Sequence, residues 1–342
     1  MTHPTQILHG NTLALGEGLT LTFQRTLRIP DDGRRYPLPP GLGAFPLRSI
    51  EDYAHRVPAE WAERGGVFLP MFQREAMWLS FAGSAPCALQ VAIGKVCAIS
   101  GERWSDALQP DPQNYVVTGH QPWLDGIASG KGTIRQFVAM PLGLGYTVEG
   151  QVTGEERFGG IQLQAFSAKR GRVPGRGGPY RGEDMGEEMD LCAIPPPCCR
   201  APMAAPRKSA GAMGLAAGGR MEQKIYPDPH GIDAWDPDTR RRVFVHIVNS
   251  EMWRDITGEA PPASPVTAKS YAAAKLPWFS LYDEGAATLA PTSTLAQVKS
   301  VKEIDETRST LPLQDDEPVA VAHVKKLWAK LRGKIVVEDG EW

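Results

Sequence analysis

Apolar and polar positions alternate from residue 19 to 27. Leu19, Leu21 and Phe23 share one side, and Thr20, Thr22 and Gln24 share the other. A period of two predicts a half-buried strand. Runs of similar strand character occur at 67–70, 77–81, 88–99, 115–118, 135–140, 146–152 and 162–166, and again at 220–226 and 242–248. Short strands divided by frequent turn residues predict a mainly β (α+β) fold with a sandwich- or barrel-like antiparallel core. The helices are few and short. Ser49 and Asp52 begin one, which Pro58 restarts through Trp61, and others are predicted at 250–256 and, behind Thr267 as N-cap, at 268–275. Near the end, Val321, Val324, Leu327, Trp328 and Leu331 recur at three- and four-residue spacing. That spacing predicts an amphipathic helix over 319–331.

One segment stands apart. Between the strand runs 135–140 and 161–166 lie glycines 143, 145, 150, 154, 159 and 160. So many glycines predict a sharply turning backbone, closely approached by its neighbours. Such geometry serves binding surfaces and sheet corners alike.

The patterning divides the chain into four parts. Residues 1–168 carry the first part of a β-rich core. Residues 169–211 hold seven prolines, seven glycines and a basic run followed by an acidic one. That composition buries too little apolar surface to offset its ordering entropy, so it predicts a mobile insertion. Strands in 212–249 complete the core by pairing back across the insertion, since open sheet edges need cover. A helical segment, 250–342, follows.

Bulk composition adds limits. Net charge is −2, so no global field draws the chain to nucleic acid or anionic lipid. No secretory pattern opens the chain, and no apolar run has membrane-spanning length. The five cysteines, at 87, 97, 192, 198 and 199, do not form a secreted disulfide framework. These features predict a cytoplasmic protein.

Candidate chemistry is sparse. The segment from Gly126 to Thr133 resembles a phosphate loop but has three residues between its glycines and Gly132 after Lys131, so it reads as a turn. The aspartates at 228, 233, 236 and 238 with His230 lack calcium-loop spacing and read as solvated turns. His246, inside an apolar run, reads as a core histidine. The basic residues 325, 326, 330, 332 and 334 read as a solvated helix face. The loop 119–126 carries more: His120, Trp123 and Asp125 lie on one turn marked by Pro122 and Gly126. An imidazole and a carboxylate serve acid–base work, and an indole walls a ligand site or packs as an anchor. No hydrolase elbow, zinc-protease motif or nucleic-acid fingerprint is present.

The runs GKVCAISG (94–101), QPWLDGI (121–127), RQFVAMPLGLGYTVEGQVTG (135–154), MGLAAGGRM (213–221) and LPWF (276–279) resemble a family of uncharacterised proteins of bacteria and fungi. The resemblance covers residues 20–168 and 213–300 and implies no activity. Some members of that family carry a membrane-protein label, which the hydropathy of this chain contradicts.

These readings converge on a non-enzymatic binding or assembly protein. It is expected to use the glycine-rich surface and the 119–126 loop, with His120, Trp123, Asp125 and Glu149 as candidate ligand contacts and no metal site. The alternative is a hydrolase or metal-dependent enzyme built on His120 and Asp125, with Glu149 as a further carboxylate. The cofactor is unspecified. The expected partner is a small molecule or a protein, and a homo-oligomer is compatible with the sequence.

Overall fold

The computed structural model describes residues 6–16, 18–173, 211–281, 287–308, 316–321, 323–328 and 336–337. Strands β1 (Gln6–His9), β2 (Thr12–Leu15) and β3 (Leu19–Thr26) form a meander. The alternation of β3 is realised directly: Leu19, Leu21 and Phe23 are buried, and the residues between them are half-exposed. Two short strands follow, β4 (Arg35–Tyr36) and β5 (Arg48–Ser49), before helix α1 (Ala59–Arg64). Next come β6 (Val67–Met71), β7 (Ala76–Gly83) and a hairpin of β8 (Cys87–Ile93) with β9 (Val96–Cys97). The predicted single run 88–99 is therefore broken, because Gly94 turns the chain with a positive φ of 56°.

Short strands β10 (Val116–Val117) and β11 (Trp123–Leu124) lead into β12 (Gly126–Gly130) and the long β13 (Thr133–Pro141). Helix α2 (Val148–Thr153) and strand β14 (Ile161–Ser167) complete the part before residue 169. Beyond residue 211, β15 (Ala212–Glu222) and β16 (Arg241–Asn249) are followed by helix α3 (Ser250–Thr257). The expected mobile segment falls mostly on 174–210, which lie outside the described residues.

One sheet of sixteen strands gathers β1 to β16, with the main order β1-β2-β3-β7-β13-β15-β16-β14-β8-β10. It folds over a shared core without closing into a barrel. The fold hinges on β15. Its first residues, Ala212 and Met213, pair with Val248 and Ile247 of β16. From Met213 onward it runs along β13. One arm of the sheet thus holds β3, β7, β13 and β15, and the other holds β16, β14 and β8. Their inner faces meet in a single apolar cluster that includes Leu21, Phe23, Phe137, Leu215, Val91, Leu163 and Val243. Strands from both sides of residues 169–211 are therefore neighbours in one sheet.

Much irregular chain is docked onto this sheet by buried glutamines. The Gln136 amide accepts from Ile29 N at 2.8 Å and donates to Leu27 O at 2.7 Å. Gln90 donates to Ser105 O and Ala107 O, and Gln164 donates to Gln90 and to Asp106 O. Gln113 and Gln121 similarly hold the segment around Tyr226. A primary amide offers the donor and acceptor that a neighbouring strand would offer, so the docked backbone stays satisfied out of water.

Helices α4 (Ala268–Ala273), α5 (Ser293–Ala296) and α6 (Val301–Thr307) cover the exterior. Thr267 caps α4 as its position predicts, and Ser300 with Glu303 forms a capping box on α6. Ion pairs anchor α6: Arg135 to Glu303 at 3.1 Å, and Arg74 to Asp305 at 2.8 Å.

Three expectations are corrected. The run 146–152 is not a strand: the Thr147 hydroxyl accepts from Gly150 N, and Gly154 ends the turn in a left-handed conformation, so α2 forms there. The strand expected at 220–226 lies earlier, at 212–222, where its small residues pass close to β13. The helix expected over 319–331 is instead β18 (Val324–Trp328), which pairs in parallel with β17 (Trp278–Leu281) and antiparallel with β19 (Val336–Val337). The Trp-Phe-Ser-Leu strand would otherwise present an unpaired edge, and pairing it outweighs the helical spacing.

The docking role of the glutamines is testable at Gln136. Replacing it with leucine strands one buried N–H and one buried C=O, each worth roughly 1–3 kcal/mol. Gln136→Leu is expected to lower the unfolding free energy in urea by roughly 2–4 kcal/mol. A loss under about 0.5 kcal/mol would remove the amide from its structural role.

Candidate functional site

The loop 119–126 is built into the sheet. Trp123 belongs to β11, which pairs with β7, and its indole is buried against Trp78 at a ring separation of 6.3 Å. It is a core anchor and offers no wall to a ligand. Asp125 is also buried. Its N–H donates to Gln223 Oε1 at 3.0 Å, and its Oδ2 accepts from Gln223 Nε2 at 2.7 Å. Burial pushes its carboxyl up to about 7, with the Gln223 bond pulling the other way. The half-buried His120 ring sits edge-on to Tyr226 at 5.0 Å. Asp125 and His120 thus engage opposite ends of the segment 223–226. Asp228 is likewise a structural acceptor, taking hydrogen bonds from the Tyr115 hydroxyl and the Trp235 indole.

Glu149 lies elsewhere, on α2. Its Oε2 accepts from Phe158 N at 3.1 Å and Gly159 N at 2.9 Å, and the Lys95 N–H donates to the same carboxylate. Burial nonetheless raises its pKa, because desolvation outweighs those donors. The carboxylate fills the space over Gly94: a Cβ there would lie 2.3 Å from Glu149 Cδ. Glu156 does the same work nearby, accepting from Gly145 N, Thr147 N and the Thr147 hydroxyl. Two glutamates therefore hold the glycine-rich segment. At its end, Gly160 has a φ of 56°, and a Cβ would meet Val245 O at 2.4 Å. Only glycine fits there.

This scaffold presents Phe158, a half-buried ring ringed by cations. Arg64, at the end of α1, and Lys95, in the β8–β9 turn, each lie 4.7 Å from the ring centroid, and Arg157 lies at 5.7 Å. Arg242 of β16 sits over Phe244 at 5.5 Å and pairs with Asp106 at 3.3 Å. Behind Phe244 the stack continues through His246 to Trp61 of α1, at ring separations of 6.3 and 4.6 Å. His246 Nε2 donates to Gly65 O at 3.0 Å, and burial lowers its pKa to about 4, so it is a neutral packing group, as its apolar setting predicts. Burial, with Arg242 and Arg64 close by, also pulls the Lys95 ammonium below its usual range. Among the described residues, no ion pair engages Lys95 or Arg157.

The sequence reading found one residue of this region, Glu149, and missed the ring and its cations. Arg64, Lys95, Arg157 and Arg242 come from four separate elements, so no local motif gathers them. Among the described residues no three His, Cys, Asp or Glu side chains gather as metal ligands would. No helix among them is long and apolar enough to cross a membrane. No family model, curated protein or solved structure matches this chain.

Two predictions follow from these geometries. Asp125 has a folded pKa above its ordinary 3.8, so the unfolded chain ionises first and stability falls as pH rises from about 4 to 7. The displacement corresponds to at most about 4 kcal/mol. Asp125→Asn should therefore gain on the wild type between pH 4.5 and pH 8 in chemical unfolding. A pH-independent difference would contradict a buried carboxyl. At Glu149, alanine orphans several buried N–H groups and should cost roughly 3 kcal/mol or more, whereas glutamine keeps an acceptor and should cost about 1 kcal/mol. Equal losses for Glu149→Ala and Glu149→Gln would show that the carboxylate does not organise this backbone.

Proposed function

We propose that the protein is a non-enzymatic binding protein whose ligand seats on the platform around Phe158. One observation carries the reading: three cationic groups from three separate elements converge on a single half-buried ring. Like charges repel, so their gathering favours an occupant that balances them. The ring itself supplies part of that balance, worth about 0.5–1 kcal/mol per cation at an exposed site. The platform offers charge and aromatic surface without an acid–base pair, since the Glu149 carboxylate is engaged with backbone amides. The glycine-rich segment thereby serves as the expected binding surface. The 119–126 loop, packed into the sheet through Trp123 and Asp125, has no part in this reading.

The test is amide shift mapping with a panel of inorganic pyrophosphate, citrate, maltose and arginine. Pyrophosphate or citrate is expected to move the amides of 94–97, 157–160 and 242–244. Shifts centred instead on 119–126, or none on the platform for any probe, would overturn the reading.

A further inference from the structure

Resting on the reading just given, we infer that the Phe158 platform is a site for a small phosphoryl anion of at least two negative charges, of the pyrophosphate or phosphate-ester class, held by Arg64, Lys95, Arg157 and Arg242.

Charge balance makes the first part of the argument. Five cations stand together: Arg64, Lys95, Arg157, Arg240 and Arg242. Among the described residues, Glu60 pairs with Arg64 at 3.6 Å, and Asp106 bridges Arg240 and Arg242 at 3.6 and 3.3 Å. Glu149 spends its carboxylate on backbone N–H groups. A single carboxylate ligand would leave the cluster strongly positive, whereas a phosphate ester or pyrophosphate carries about two or more negative charges at neutral pH.

Donor geometry makes the second part. A planar carboxylate is satisfied by one arginine fork. A phosphoryl group spreads its oxygens tetrahedrally and takes donors from several directions, with lysine acting as a point charge. Here the donors come from the end of α1, the β8–β9 turn, the glycine-rich segment and β16. The lowered pKa of Lys95 agrees with the arrangement, because an anion beside it would restore the ammonium. The protein carries a net charge of −2, so it has no overall positive field to draw a nucleic-acid backbone to the platform.

Calorimetric titration of the full chain tests this with inorganic pyrophosphate, citrate and a single-stranded oligonucleotide, at two salt concentrations. Pyrophosphate is expected to bind more tightly than citrate and to weaken with salt. Lys95→Gln and Arg64→Gln should each weaken it at least tenfold, and Arg157→Gln about threefold. Lys131→Gln, in the turn before β13, should leave it unchanged. Arg157 is exposed, so that variant decides the matter if the Arg64 variant fails to fold. Citrate binding at the platform as tightly as pyrophosphate would sink the phosphoryl assignment and leave the binding reading standing. Tighter binding of the oligonucleotide would sink the small-molecule class. Pyrophosphate binding unchanged in all three platform variants would sink the site, and no probe binding there would sink both readings.

Discussion

Every backbone amide taken out of water in this protein needs a partner, and most of the chain that covers the sheet is too irregular to find one in a ladder. The constraint is severe because an orphaned buried N–H or C=O typically costs roughly 1–3 kcal/mol. Side chains meet it. Gln136 holds residues 27–29, Gln90 and Gln164 hold 105–107, and Gln113, Gln121 and Gln223 hold 223–228. Each acts as one rung of a strand that is not there. Glu149 and Glu156 extend the principle to carboxylates, which accept from several N–H groups at once. The glycine-rich segment is thus a frame of turns braced by two acids.

That brace gives the candidate site its geometry. The same Glu149 carboxylate touches the backbone of Lys95 and of Phe158, so the cation and the ring it faces are set by one side chain. Arg64 arrives from α1, whose Trp61 is stacked on His246, and Arg242 arrives on β16 beside it. The platform therefore stands on strands, a turn and a helix that are each fixed by packing, which keeps like charges close without letting them drift apart.

Much of the β architecture was legible. The alternation of 19–26 follows from period-two patterning, which reports a half-buried sheet face directly, and the largely buried strands at 67–71, 133–141, 161–167 and 241–249 follow from short apolar-rich runs bounded by turn residues. Helix α2 was not, because Val148 and Val152 read as strand, and the deciding hydrogen bond runs from Gly150 to the Thr147 hydroxyl. Residues 324–328 misled for a different reason. Their spacing suits a helix, but the choice was made by a distant strand, 278–281, that needs a neighbour. In the candidate site, Glu149 stood out as a carboxylate amid glycines. His120, Trp123 and Asp125 stood out as unusual chemistry on one loop, yet the groups that pack against them, Tyr226, Trp78 and Gln223, lie far along the chain and left no local signal. The cations around Phe158 gave no signal, since each is an ordinary basic residue in its own surroundings.

The position of β6 has a consequence for how the chain is made. Val67 to Met71 lie in parallel register with Val245 to Asn249. On the ribosome, β6 emerges long before that partner and must wait while residues 72–244 are synthesised, at roughly 5–20 residues per second. During that interval β6, with its apolar Phe68, Leu69 and Met71, has only the two-residue β5 beside it, and its edge toward β16 is unpaired. Early collapse onto the β2–β3 meander can shelter them, but the ladder to β16 closes only once residues 245–249 have been made. The order of synthesis thus leaves the nascent chain with a long-lived strand edge, and the conditions most dangerous to this protein are those that prolong translation between residues 71 and 245.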